Sequence, residues 1–262
     1  MKLFTIKNTS DWDNSANPGG VRKVTYVSGV DSYQDTAYIL PAWNTRDWII
    51  NLHGHGSLGN QLFIRQDVRN NWLKLFMELG LSVMTADLRG NAWMCPEAAT
   101  DLHCLVEWMR SEYGAERFVL VAGSMGGTGS LAYSVLYPED ISAVVAYCPA
   151  TDIGRYHGLI KNDNRPVIKE ISAAIEYAYG GRPADLPDLF AKHSACANHE
   201  KLKGMNVLVI HGVEDLTIPV SESRNLAENI HSSKTFEYIE IKDGTHDSIL
   251  AEPVLAPFLK RQ

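Results

Sequence analysis

The chain has 262 residues, 45% of them hydrophobic and 21% charged, which is enough apolar content for a packed core and excludes a disordered or collagen-like chain. Against 31 Asp and Glu stand 24 Lys and Arg, a formal net charge of −7 with no basic cluster, so no nucleic-acid partner is expected. No stretch is apolar for long enough to span a membrane, and Met1 to Asp11 lacks the apolar run of a signal peptide. The four cysteines (Cys95, Cys104, Cys148 and Cys196) are scattered without CxxC spacing and read as free thiols of a cytoplasmic protein.

In chain order, Lys23 to Val27 and Thr36 to Leu40 read as an antiparallel pair at the edge of a sheet. Trp48–Leu52, Ser82–Ala86, Phe118–Ala122, Ala143–Tyr147 and Val207–Ile210 follow as nearly continuous apolar, β-branched runs. Runs of that kind suit strands covered on both faces, as in a parallel sheet. Phe236 to Ile241 reads as one more strand. Between them, Gln66 to Leu79 (apolar at Val68, Trp72, Leu75 and Phe76, ending at Gly80), Ala98 to Met109 and Gly126 to Leu136 carry helical spacing. The alternation predicts an α/β fold, a mostly parallel doubly wound sheet. Residues 151–203 break the rhythm with helical pieces such as Val167 to Tyr179. They are expected to form a cap over the ligand crevice of a single domain spanning 1–262.

The stretch Phe118-Val-Leu-Val-Ala-Gly-Ser124-Met-Gly-Gly-Thr-Gly carries the most chemistry. A buried strand enters a small-residue turn and leaves as a helix. A serine held there takes a strained backbone, so the residues two before and two after it must be small, here Ala122 and Gly126. A helix starting at Ser124 also directs its N-terminus at a developing oxyanion. Gly123-x-x-x-Gly127-x-Gly129 and Tyr238-x-x-x-Lys242 also match the spacing of short-chain dehydrogenases. In those proteins, however, the glycine turn follows the first strand and the Tyr/Lys pair lies on a helix, whereas here several strands precede the turn and Phe236 to Ile241 reads as strand.

A serine alkoxide needs a base, and the base needs an orienting carboxylate. Among the nine histidines, His246 stands on the loop after the last strand, preceded by Gly244 and followed by a helical segment. Asp215 follows the Val207–Ile210 strand, with Glu214 beside it and Asp152 after the Ala143–Tyr147 strand as alternatives. Asp243 and Asp247 lie too close to His246 in sequence to present a carboxylate well. For the oxyanion, Met125 supplies one N–H. The loop His53-Gly54-His55-Gly56 after the Trp48–Leu52 strand supplies a second, from His55. His53 and His55 lack metal-site spacing, and neither metal nor cofactor is expected.

Together the elbow Ala-Gly-Ser124-Met-Gly-Gly, the His-Gly-His55-Gly loop, Asp87-Leu-Arg89-Gly90 and His-Gly-x-x-Asp215-x-x-x-Pro resemble the α/β-hydrolase superfamily over essentially the whole chain. The likeness is to its carboxylesterase and prolyl-oligopeptidase-like branches. It implies the α/β-hydrolase fold with a helical cap insertion, and Ser124, Asp215 and His246 as catalytic residues. In those branches Arg89 would brace loops. Full-length oligopeptidases carry a large N-terminal propeller for which there is no room, which turns the expectation toward esters. The implied activity is cleavage of a small-molecule carboxylic ester of a small or medium acyl group through an acyl-enzyme. A peptidase or a non-catalytic ligand receptor is the alternative. Trp93, Tyr156 and His157, with His55, are expected to line the substrate pocket.

Overall fold

The computed structural model describes residues 3–230, 235–248 and 253–262. Its strands are β1 (Thr5–Asp11), β2 (Arg22–Val27), β3 (Gln34–Leu40), β4 (Asp47–Leu52), β5 (Ser82–Ala86), β6 (Arg117–Gly123), β7 (Ala143–Tyr147), β8 (Asn206–Gly212) and β9 (Phe236–Ile241). They form one nine-stranded sheet in the order β1-β2-β3-β5-β4-β6-β7-β8-β9. The first three strands and the β3–β5 pair are antiparallel, and the rest of the sheet is parallel. β2 and β3 pair as read from the sequence, but they are not the edge. β1 lies outside them, and its mostly exposed, polar Thr-Ile-Lys-Asn-Thr-Ser-Asp pattern explains why no apolar signal announced it.

The helices are α1 (Gln61–Ile64), α2 (Gln66–Val68), α3 (Lys74–Glu78), α4 (Pro96–Tyr113), α5 (Met125–Leu136), α6 (Ile153–Ile160), α7 (Pro166–Tyr179), α8 (Pro187–His193), α9 (Ser221–Ile230) and α10 (Leu255–Leu259). A π-helical turn at Arg69–Leu73 joins α2 to α3, so Gln66 to Glu78 winds almost as the one helix its apolar spacing predicts. Proline opens and left-handed glycine closes both α4 (Pro96, Gly114) and α7 (Pro166, Gly180). The helical segment read after His246 lies partly outside the described residues; its described part is α10. No helix among the described residues is long and apolar enough to cross a membrane.

Strand alternation sorts the apolar residues into two cores. Trp48, Ile50, Leu120, Val144 and Val207 face α4, α5 and the helices of 151–203, through Leu105, Leu131, Ile153 and Ile171. Ile49, Val119, Val121, Val145 and Leu208 face the other way, onto Phe63, Trp72 and Phe76 and onto Leu255 and Phe258. Both faces are therefore covered, as the unbroken apolar runs require. β4 sends its connection to β5 on one side, and the chain returns as β6 on the other. The loops after β4 and β6 thus part at a topological switch point, where open α/β sheets leave a crevice.

Asp87-Leu-Arg89-Gly90 follows β5. The Arg89 guanidinium donates to both carboxylate oxygens of Asp31 (2.8 and 2.9 Å) and to buried Asp101 (2.9 Å), and its amide donates to Asp35 (2.8 Å). Ser28 donates to the other oxygen of Asp101 at 2.5 Å. The cluster ties β3, the loop before it and α4 to the β5 turn. Removing one partner of a buried pair leaves an uncompensated charge, so Arg89→Met is expected to cost about 3 kcal/mol or more of unfolding free energy, read from urea denaturation. An unchanged midpoint and slope would show that Arg89 braces nothing.

Candidate functional site

Ser124 stands between β6 and α5 at φ 58° and ψ −127°, a conformation that costs a non-glycine residue about 1–3 kcal/mol. Neighbouring strands hold it there. The Ser124 amide donates to the Tyr147 carbonyl at the end of β7 (2.8 Å), and its carbonyl accepts from the Thr128 amide (2.9 Å) and hydroxyl (3.0 Å). The turn closes only because α5 approaches β4 and β7 without side chains in the way. A Cβ on Gly126 would lie 2.3 Å from the Leu52 carbonyl oxygen, and one on Gly127 would lie 2.9 Å from that of Tyr147. Ala122 is fully buried at the end of β6.

β8 and β9 end beside this elbow. Gly212 lets the two loops come together, since a Cβ there would meet the carbonyl oxygens of Gly244 and Thr245 at 2.5 Å. As a result the His246 ring bridges two groups far apart in sequence. Its Nε2 lies 2.8 Å from Ser124 Oγ and its Nδ1 lies 2.6 Å from Asp215 Oδ2. An ionised carboxylate only accepts, so Nδ1 carries the proton and Nε2 presents its lone pair to the serine hydroxyl. Asp215 Oδ1 accepts from the amides of Thr217 (2.8 Å) and Ile218 (2.9 Å), and His211 Nε2 lies 3.3 Å from Oδ2. Burial alone would push the Asp215 carboxyl up. Hydrogen bonds from His211, His246 and the Ile218 amide outweigh it and hold the carboxyl well below the usual range. Asp215 is therefore ionised throughout the range in which a histidine titrates.

The other carboxylates weighed for this position lie elsewhere. Asp152 caps α6 through the Arg155 amide (2.8 Å) and accepts from Ser194 (2.9 Å), and no contact joins Glu214, Asp243 or Asp247 to the His246 ring among the described residues. Cys148, Asp215 and His246 offer donor atoms within 4.8 Å of one another. Two of the three already hydrogen-bond each other, and burial, then the charge of Asp215, drives the Cys148 thiol pKa up, away from a metal-binding thiolate.

In the loop after β4, the Gly54 amide donates to Gln61 Oε1 (2.9 Å), that of Gly56 to Asn91 Oδ1 (2.7 Å) and that of Ser57 to the Gly54 carbonyl (3.2 Å). The His55 amide has no acceptor among the described residues. Neither has that of Met125, whose place at the start of α5 leaves it without an intrahelical partner. Gln61 and Asn91, which shape this loop, carried no signal in the sequence. The His55 ring accepts from Trp93 Nε1 at Nδ1 (3.3 Å) and turns Nε2 toward Glu170 (3.3 Å). Burial lowers its pKa against the opposing charge of Glu170.

In front of Ser124 opens a cavity of about 240 Å³. Besides Ser124, His246 and His55, its walls are Val68, Trp72, Val167 and Ile171 on the apolar side and Gln61, Arg65, Thr217 and Asp247 on the polar side. Val68 and Trp72 belong to the apolar stripe read over Gln66 to Leu79, where their spacing is readable as core; Gln61 and Arg65 precede that stripe. Three residues expected in the pocket are not on its walls. Trp93 and Tyr156 are packed in the core, 5.8 Å apart between ring centres, and Tyr156 donates to the Thr217 carbonyl (3.0 Å). His157 is buried against Glu176 (2.8 Å), joining α6 to α7. Aromatic and polar residues at the base of the insertion pack it down; the cavity is lined instead by α7 and by the helices after β4.

A family model for the alpha/beta hydrolase fold matches residues 47–168, the segment from β4 through the elbow into α7. The chain has the α/β-hydrolase fold. Among solved structures, this chain is similar to an esterase of Pyrococcus furiosus, with a TM-score of 0.71 and 16% identity over 96% of each chain. It is also similar to a fluorophosphonate-binding serine hydrolase of Staphylococcus aureus (TM-score 0.67, 11% identity, 93% of this chain and 98% of that one). A puromycin-hydrolyzing peptidase of Mycobacterium tuberculosis gives a TM-score of 0.68 at 14% identity over 96% of this chain, which spans only 40% of the peptidase. No curated protein matches the sequence. At such identities the likeness is one of fold.

The elbow yields a direct test. Gly126→Ala must push α5 off the Leu52 carbonyl, and overpacking of this kind is expected to cost on the order of 3 kcal/mol. Thermal unfolding measures it; a melting temperature equal to that of the parent would mean that the contact relaxes freely.

Proposed function

We propose that this α/β-hydrolase is a serine hydrolase that cleaves carboxylic esters of small or medium acyl groups through an acyl-enzyme. The observation that carries the reading is the His246 ring, hydrogen-bonded at one nitrogen to Ser124 and at the other to an ionised Asp215. In this reading His246 Nε2 takes the hydroxyl proton as Ser124 Oγ attacks the ester carbonyl, and Asp215 stabilises the imidazolium. The amides of His55 and Met125 receive the oxyanion. The imidazolium then protonates the departing alcohol, water adds to the acyl-enzyme with His246 again as base, and the acid leaves. No cofactor enters the scheme.

The walls support the substrate class. A volume of about 240 Å³ is below the usual span of small-molecule sites, and Val68, Trp72, Val167 and Ile171 offer apolar contact to a short acyl chain. Two of these come from α7, so the reading makes 151–203 a cap that closes the cavity. An esterase is among the solved structures that share this fold.

The experiment is reaction with a fluorophosphonate followed by peptide mapping, where a single adduct on Ser124 that is absent in His246→Ala is expected. Ser124→Ala and His246→Ala should each lower ester turnover by roughly 10⁶-fold and together no further, because the two act as a unit. Asp215→Asn should lower it by about 10⁴-fold and Glu214→Ala hardly at all; the reverse ranking would displace Asp215. Activity should fall on the acid side in one step as His246 is protonated, because Asp215 stays ionised. Intact, unlabelled protein after prolonged treatment would make the fold a receptor.

A further inference from the structure

The acid of the proposed triad sits on a turn whose carbonyl side is as fully engaged as its amide side. Asp215 Oδ1 accepts from the amides of Thr217 and Ile218. Each of those amides shares a rigid peptide plane with the carbonyl of the residue before it, so turning one group turns the other. The Leu216 carbonyl, in the plane of the Thr217 amide, accepts from Arg165 Nη1 at 2.7 Å. The Thr217 carbonyl, in the plane of the Ile218 amide, accepts from the Tyr156 hydroxyl at 3.0 Å. The Ile218 carbonyl accepts from His211 Nε2 at 2.8 Å, and His211 Nδ1 meets Ser223 Oγ at 2.7 Å. The first two donors come from the 151–203 insertion: Tyr156 from α6 and Arg165 from the residue that precedes α7.

Both donors are themselves held. Tyr156 is fully buried, and burial, reinforced by the nearby charges of Asp215 and Glu222, keeps its phenol protonated. Arg165 is oriented by Asp163, which takes its Nε and Nη2 and leaves Nη1 for Leu216. At the base of the insertion, Arg155 pairs with buried Glu222 of α9 at 2.9 Å, and Thr151 donates to the Glu222 carbonyl at 2.6 Å. The insertion is thus anchored beside the turn whose carbonyls it grips.

Resting on the serine-hydrolase reading, we infer that Tyr156 and Arg165 are positioning residues: they lock the two peptide planes that aim Asp215 at His246. This replaces a substrate-binding role for Tyr156. It also makes the insertion part of the catalytic machinery through the acid rather than through substrate contact. A hydrogen bond at the carbonyl polarises the amide of the same plane, so each donor also strengthens the bond to Asp215. The other ionisable groups facing Asp215 and His246 are His211, Cys148 and Asp247, the last with Arg65 at 3.8 Å, and the test leaves all of them in place.

The test uses the full chain with Tyr156→Phe, Arg165→Met and Arg165→Lys. The first readout, independent of turnover, is the titration of the His246 ring by nitrogen-15 NMR. Loosening Asp215 removes charge from beside the imidazole. The midpoint should therefore fall by about half a pH unit or more in Tyr156→Phe and in Arg165→Met, and return toward the parent in Arg165→Lys. The second is hydrolysis of p-nitrophenyl acetate, where kcat should drop about tenfold with KM within twofold, the acid limb moving with the titration. An unmoved His246 titration in a folded Tyr156→Phe and in Arg165→Met overturns the inference, as does a loss carried by KM alone. A shifted titration in a protein that neither cleaves the ester nor labels at Ser124 supports the positioning role and overturns the hydrolase reading instead.

Discussion

The closeness of α5 to the ends of β4 and β7 is the constraint on which the rest of the site depends. Backbone meets backbone there, with room for no Cβ at Gly126 or Gly127. That contact forces the turn between β6 and α5 to be so tight that Ser124 takes a positive φ, and it lifts the side chain out of the sheet toward the crevice. It also leaves the Met125 amide at a free helix N-terminus beside the serine. A wider turn would relax Ser124 and at the same time lose the orientation of both groups.

Around the elbow, the site is assembled from the carboxyl ends of parallel strands. Chain order reverses between β4 and β6, so the loop carrying His55 diverges from the elbow and leaves space for a ligand. The loops after β8 and β9 converge instead, because Gly212, with no room for a Cβ against the Gly244 and Thr245 carbonyls, lets them touch. Asp215 and His246 thereby meet at 2.6 Å across a separation of 31 residues. Each loop is then fixed by side chains other than Ser124, His246 and Asp215: Gln61 and Asn91 under the His55 loop, and His211, Tyr156 and Arg165 around the Asp215 turn.

What was legible in the sequence follows from where burial leaves a pattern. β4 to β8 are covered on both faces, and their apolar runs could not be mistaken. β1 is nearly all exposed and had no such mark. The elbow was readable because its steric demand fixes residue size at defined offsets from Ser124. The cavity walls were not. Val68 and Trp72 look in sequence like any helix stripe, while Trp93, Tyr156 and His157 look like ligand contacts and are in fact buried in packing and hydrogen bonds. An aromatic or a histidine serves core and pocket equally well, and residue type does not say which side of the wall it faces.

The sequence by itself determined the strand–helix alternation, the strained serine turn and the short list of residues that follow strand ends, since these are local consequences of size, hydrophobicity and glycine. Tertiary structure alone decided which carboxylate meets His246, which loop amides remain unpaired and which side chains face the cavity. Those depend on distances between segments far apart in the chain, set by sheet order and by backbone contacts that no single segment encodes.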